Sequence, residues 1–458
     1  MKSFKETSYY QILILSLPIF ISSTTSIFLG VTDTLMIGRT NVQQLAGVSG
    51  GAAIFSLFSS IIVASLTSNE VLAAKYFGEN NVKKVKETLL YTLIFGLIIS
   101  LSSILLMAIF AKPIFRLIVG NPDITNITLS YLLARSPELF FLVPFTLLKN
   151  TLNANKRTKW AMYSSFTVNL TNIFFGYFFI FGIGPIPRFE AVGAGISSSL
   201  ATLSGLILLM IAFKKEKILQ ISSLIQVHFS IRAFLRSQKL SYPPMGSAIF
   251  DYVANLVVFG IMGTLGSVYL AGGRIAFQLD MIIFIIAMGL GIGGKILIGR
   301  FWGKKDINEV YKYFKSTLII VLLGTMVISL PFILIPEYIL FTFTTFNEVV
   351  EVTKNSILLI GISAPIIGGA CVLASVLRAL GKTNYDMYAN VLPIWIFQIP
   401  VSILSGLYTD WGLTGIYLGF LLYWVGRCIM SALFVKRTLC ILKKDLEIER
   451  IQANVRLQ

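Results

Sequence analysis

The chain is short of charge, of histidine and of paired cysteine, and each shortage removes a class of function. Only 13% of its 458 residues are Asp, Glu, Lys or Arg, against 55% hydrophobic residues and a mean hydropathy of +0.80. A soluble domain carries about 25% charge, so half that allotment leaves too few polar side chains to cover a water-facing surface. The one histidine, His228, stands in a basic connector, so no imidazole metal site, Ser-His triad or histidine base can form within the apolar segments. Cys371, Cys428 and Cys440 have no paired spacing, and two of them lie in apolar stretches, where cysteine acts as a small hydrophobe. A membrane enzyme or receptor would need a catalytic constellation or a ligand domain, and the sequence offers neither. No cofactor and no metal is expected.

What the chain does have is long apolar runs. Residues 12–31, 89–110, 317–335 and 411–434 each hold nearly the ~20 residues that cross a hydrocarbon core. Lys2 and Lys5 precede the first run, but it is long, dotted with polar residues and lacks a small-residue cleavage site, so a retained helix is expected. The net charge of +17 is placed by topology rather than for nucleic acid. Lys83, Lys84 and Lys86, then Lys156, Arg157 and Lys159, then Lys214, Lys215 and Lys217 fall in alternate gaps between runs. Lys304, Lys305, Lys382, Lys436, Arg437, Lys443 and Lys444 continue the alternation. The positive-inside rule then puts both termini in the cytoplasm of a multi-pass protein of the plasma or inner membrane.

Twelve helices are expected, at 9–37, 47–77, 87–111, 123–150, 160–183, 191–213, 240–265, 270–301, 314–337, 350–380, 385–407 and 412–437. They form two copies of one unit. Leu15-Ser16-Leu17-Pro18 matches Leu240-Ser241-Tyr242-Pro243, an offset of 225. The same offset carries Gly38 onto Gly263, Leu45-Ala46-Gly47 onto Leu270-Ala271-Gly272, and Lys75-Tyr76-Phe77-Gly78 onto Arg300-Phe301-Trp302-Gly303. Leu152, Ala154 and Thr158 fall on Leu377, Ala379 and Thr383. An even number of helices per copy makes the copies parallel, related by an axis along the membrane normal. The fold class is therefore an all-α integral membrane protein of two parallel six-helix repeats. The expected divisions are an N-lobe at 1–213, a connector at 214–239 forming an amphipathic strap, a C-lobe at 240–437 and a cytoplasmic tail at 438–458, solvated from Cys440.

An ionisable residue inside a spanning helix costs at least ~2.5 kcal/mol, so each is a functional candidate. Asp33, late in the first helix, can carry a proton or ligate sodium. Asp251, eight residues after Pro243, can neutralise a cationic substrate or ion. Arg274 and Asp280 share the eighth helix at a spacing of six, and are taken with Asp251 as cavity residues. Arg135 and Glu138, three apart, are expected to pair locally, and Arg427 has no evident partner in sequence. Glu70 and Lys295 are repeat mates, 225 residues apart, and are expected to meet as a gate when the lobes close.

Val31-Thr32-Asp33-Thr34-Leu35-Met36-Ile37-Gly38-Arg39, followed by Leu45-Ala46-Gly47, resembles the first-helix signature of the multidrug and toxic compound extrusion (MATE) family. Gly193-Ala194-Gly195, Arg378-Ala379-Leu380-Gly381-Lys382-Thr383 and the turns at Gly78 and Gly303 fit as well, and the resemblance runs from about residue 10 to 437. It implies an antiporter that exports organic, often cationic, compounds in exchange for H⁺ or Na⁺ by rocking two lobes. The resemblance assigns ion coupling to Asp33, Asn172 and Ser198, with Gly176 standing where relatives often have Asp. It matches Asp251 to a position usually filled by Glu, and finds Ile366, Ile367, Gly368 and Gly369 where the sodium-linked branch has an Asp. These departures favour H⁺ over Na⁺. The expected protein is a monomer embedded in the bilayer, carrying a small-molecule substrate and binding no nucleic acid. The rival is a flippase for a lipid-linked precursor, which needs a cationic cavity for phosphate.

Overall fold

The computed structural model describes the backbone of residues 7–119, 121–182, 187–218 and 227–455, with side chains except at 26–31, 33, 34, 114, 117–119, 449–451 and 453–455. Every regular element among them is helical. In hydrocarbon a backbone must satisfy its own hydrogen bonds, and a helix does this within one segment. The order is α1 (Ser8–Gly38), α2 (Val42–Ser65), α3 (Thr67–Gly78), α4 (Val82–Val119), α5 (Pro122–Ala154), α6 (Lys159–Phe181), α7 (Ala191–Lys215) and α8 (Ile231–Gln238). There follow α9 (Tyr242–Leu265), α10 (Ser267–Gly303), α11 (Ile307–Leu334), α12 (Pro336–Phe341), α13 (Asn347–Ala379), α14 (Thr383–Pro393), α15 (Ile399–Leu407) and α16 (Gly412–Val455). Eleven spans among the described residues are long and apolar enough to cross a membrane. The 31-residue α1, with no charged residue before Asp33, makes the twelfth.

Three departures from the expected helices have physical causes. α2 and α3 part at Leu66, amid Ser65, Thr67, Ser68 and Asn69, short polar side chains that compete for backbone partners. Ser65 Oγ donates to Ile62 O at 2.6 Å and Thr67 Oγ1 to Ala64 O at 2.8 Å. Between α14 and α15 the chain makes one π-helical turn, Ile394–Gln398. Pro400, just beyond, has no N–H to give a normal helical turn. The tail expected to be solvated from Cys440 instead continues α16, and Leu442 within it is buried beside Val310 and Tyr313, as is Leu439 just before it.

Packing divides the chain into two compact units, Ile21–Ala248 and Met1–Phe20 with Ile249–Gln458. The limits 1–213 and 240–437 follow the repeat, whereas the compact units split each repeat's first helix. Residues 8–20 of α1 lie in the second unit. Ser8 Oγ meets Ser316 Oγ at 2.7 Å, Tyr313 OH donates to Gln11 Oε1 at 2.5 Å, and Ser16 Oγ donates to Leu290 O at 2.8 Å. Gly293 lets α10 approach so closely that a Cβ there would strike Ile12 O. The start of α9 lies in the first unit. Ser68 N donates to Ser241 Oγ at 3.1 Å, and Tyr242 packs edge-on against Phe95 at 5.7 Å. Each unit has its own apolar core, one around Ile62, Leu66, Val143 and Leu147, the other around Ile283, Val321, Ile357 and Ile416.

Candidate functional site

In the first unit, α6 and α7 bring two of the expected coupling residues together. Asn172 Nδ2 donates to Ser198 Oγ at 3.3 Å, and both side chains are buried. Asn172 Oδ1 is buried with no hydrogen-bond partner among the described residues, so one acceptor is left open. Gly176, a turn on from Asn172, has room for a side chain, since a Cβ there would meet Met36 Sδ at 3.5 Å and Ser197 Oγ at 3.6 Å. Asp33 lies on α1, and its side chain is outside the described residues. The part of that helix beyond Phe20, which carries Asp33, packs on α6, with Ser22 Oγ and Ser165 Oγ 2.5 Å apart and Asn169 Nδ2 donating to Thr25 O at 2.8 Å.

The second unit holds a cavity of about 170 Å³ lined from α9, α10, α16 and the π-helical turn. Asp251 and Asp280 both line it; Arg274 does not. Six residues turn a helix through about 600°, which leaves Arg274 some 240° around α10 from Asp280. It is exposed and lies over the Phe259 ring at 6.0 Å. The cation that does line the cavity is Arg427, 8% exposed. A chain of hydrogen bonds ties it to Asp251. Arg427 Nη1 donates to Tyr423 OH at 2.6 Å, Tyr423 OH donates to Asn390 Oδ1 at 2.7 Å, and Asn390 Nδ2 donates to Asp251 Oδ1 at 2.7 Å. The chain fixes which way the Asn390 amide points, because its oxygen accepts and its nitrogen donates.

Asp280 is 3% exposed and makes no hydrogen bond or ion pair among the described residues. Its neighbours in the cavity wall are aromatic: Phe277, Phe284, Phe420, Tyr423 and Trp424. The guanidinium of Arg427 lies 5.4 Å from the Trp424 ring, while Arg427 Nε and Trp424 Nε1 are buried without hydrogen-bond partners among the described residues. The π-helical turn has a visible consequence here, since it presents Gln398 to the cavity. Widened turns of this kind recur at functional sites. With the carboxyls ionised the wall holds two negative charges and one positive.

Arg135 and Glu138 make the expected local pair, with Nε to Oε2 at 2.7 Å. Arg135 also donates to Tyr131 OH and lies over the Phe55 ring at 4.0 Å, so its charge is shared among neighbours on α5 and α2. Glu70 is half-buried in the first turn of α3, and Lys295 is buried on α10. They belong to different units, so the gate they are expected to form stands as a proposal. Sequence reasoning missed Asn390, Tyr423, Gln398 and the Arg378–Asp386 pair. Arg378 Nε donates to Asp386 Oδ2 at 2.5 Å across the turn at Gly381, whose φ of +74° only glycine adopts freely. For Arg427 a signal was present, since Tyr423 stands four residues earlier on the same helix face. For Asn390 and Gln398 there was none.

The chain matches the MatE family model twice, over residues 18–178 and 243–404. The two matches begin at Pro18 and Pro243, the positions that open the repeat. The probable multidrug resistance protein NorM of Photorhabdus laumondii is 24% identical over 436 residues, covering 93% of this chain and 95% of that protein. The uncharacterized transporter YisQ of Bacillus subtilis is 22% identical over 423 residues, covering 92% and 93%. Among solved structures, an outward-facing conformation of a multidrug resistance MATE family transporter of the MOP superfamily superposes with a TM-score of 0.86. Its identity is 15%, and 96% of this chain and 97% of that one are covered. A MOP superfamily transporter from Pyrococcus furiosus, whose reversed binding-pocket polarity suggests a different function, gives a TM-score of 0.85 at 14% identity. The coverage there is 96% of this chain and 97% of that one.

Proposed function

Because this chain belongs to the MATE family of multidrug transporters, we propose that it exports organic, often cationic, compounds in exchange for inward-moving H⁺, as a monomer working by alternating access. Transport by a membrane-embedded, non-enzymatic protein comes with the family. The substrate, the coupling ion and the residues are this reading's own. In it Asp33 carries the proton, and the buried Asn172–Ser198 pair supplies polar company in an apolar unit. Asp251 and Asp280, in their aromatic wall, meet the substrate's positive charge, as ring faces and carboxylates both attract cations.

The observation that carries the choice of H⁺ is the sparse set of oxygens around the Asn172–Ser198 pair. Gly176, a turn on from Asn172, supplies no carboxylate there. A sodium ion stripped of its water needs several oxygen ligands at once. A proton needs only one carboxylate, which Asp33 supplies in this reading. A flippase fits less well, because a cavity with two carboxylates and one guanidinium repels phosphate.

The test is export from proteoliposomes driven in turn by a pH gradient and by a Na⁺ gradient with pH clamped, wild type beside Asp33→Asn. The pH gradient drives uphill export by the wild type, the Na⁺ gradient does not, and Asp33→Asn loses coupled export while still inserting. Transport on the Na⁺ gradient alone overturns the choice of ion. Wild-type uphill export by Asp33→Asn overturns its role.

A further inference from the structure

We propose that the second unit carries a phospholipid-binding groove between α11, α13 and α16, which seats an acyl chain and holds an anionic headgroup on Lys436 and Lys443. The groove encloses about 860 Å³ and is lined almost wholly by apolar groups. Its floor comes from Leu318 and Leu322 of α11 and from Pro365 and Gly369 of α13. Gly369 has no side chain to fill the space toward Cys428, where a Cβ would lie 3.5 Å from the sulfur. Along the other wall Ala432, Val435, Lys436, Leu439, Cys440 and Lys443 recur every three or four residues, one stripe of α16. From Cys428 to Lys443 that stripe rises roughly 22 Å, enough for the ~15 Å of one hydrocarbon leaflet plus its headgroup layer.

Two observations say what occupies it. Leu323 (59% exposed) and Val327 (66%) on α11, and Ile429 (56%) and Leu433 (61%) on α16, present large apolar side chains to the surroundings. On a membrane-spanning unit such a surface faces hydrocarbon, so lipid tails are the solvent at the groove's mouth. Polarity in the lining is confined to the end nearest the close of α16, where both lysines stand. Lys436 makes no ion pair among the described residues. Lys443 has only Glu447 at 4.0 Å, with both side chains about 60% exposed, a pair worth little. Two ammonium groups at the interface end of an apolar slot match a phosphate ester above an acyl chain. Basic pockets between spanning helices bind anionic headgroups by this chemistry.

Cys440 lines the groove and is exposed, whereas Cys371 is buried, so its reaction with a maleimide, resolved by peptide mass spectrometry, reports occupancy. The whole protein in dodecyl maltoside micelles is titrated with phosphatidylglycerol, with phosphatidylcholine of the same chains, and with glycerol 1-phosphate. Phosphatidylglycerol is expected to protect Cys440 at a concentration about 30-fold below phosphatidylcholine, from the two lysine contacts. The soluble phosphate is expected not to protect at all. K436Q with K443Q brings the two lipids to parity, and Ala432→Trp, which fills the slot and keeps both lysines, abolishes protection by either. Equal protection by the two lipids in the wild type overturns the proposal. So do protection by glycerol 1-phosphate alone, a preference that survives loss of both lysines, and protection that survives Ala432→Trp.

Discussion

Tyr423 serves two buried polar groups at once, accepting from Arg427 and donating to Asn390. Its ring stays packed on Trp424, 4.8 Å between centroids, in a Tyr423→Phe variant, so that change isolates the hydroxyl. Removing it strips an acceptor from a buried guanidinium and a donor from a buried amide, at a cost of about 1–3 kcal/mol. Thermal unfolding in detergent is expected to shift down, and affinity for a cationic substrate to fall as the Asn390 amide loses its fixed orientation. An unchanged midpoint with unchanged affinity would show the relay to be idle. At this scale the sequence exposed the expensive residues, because an ionisable group in an apolar run stands out by itself. Asp251, Asp280 and Arg427 were visible for that reason. Asn390 and Gln398 were not, because an amide is unremarked until something charged is found beside it.

Each repeat places a serine, Ser16 within α1 and Ser241 just before α9, against the second helix of the other repeat. Ser241 Oγ accepts from Ser68 N at 3.1 Å, and Ser16 Oγ accepts from Gly293 N at the same distance. The pairs are related by the 225-residue offset. Ser68 lies in the first turn of α3, whose leading N–H groups have no helical partner, so Ser241 acts as a cap supplied from outside the helix. Ser16→Ala and Ser241→Ala are each expected to cost about 1 kcal/mol. Because the two bonds belong to separate units, the double variant should lower the unfolding midpoint by the sum of the single effects. A double no worse than one single would show that the two bonds are not independent. Helix existence was legible from apolar length, but the break at Leu66 and the run of α16 to Val455 were not. The first turns on side-chain competition over four residues; the second on Leu439 and Leu442 finding partners on other helices.

At the scale of the molecule the repeat makes one arrangement testable. If Glu70 and Lys295 meet when the lobes close, charge reversal of either impairs export, and the combination Glu70→Lys with Lys295→Glu restores it. A buried pair contributes little net stability, since desolvation offsets much of the attraction, but only the difference between two states matters for a switch. Export rates of the two singles and the double decide it. A double no better than the worse single means that the residues do not meet.

The sequence by itself determined that this is a twelve-helix membrane protein of two repeated halves in the MATE family. Lipid demands long, self-satisfied apolar helices, and duplication leaves a constant offset that no packing can erase. Only the tertiary structure decided which residues face one another. It assigned residues 8–20 to the unit of the second repeat and opened the groove beside Gly369. It also set Arg427 rather than Arg274 in the wall of the cavity that Asp280 lines, because a side chain's neighbours depend on helix rotation and on helices far away in sequence.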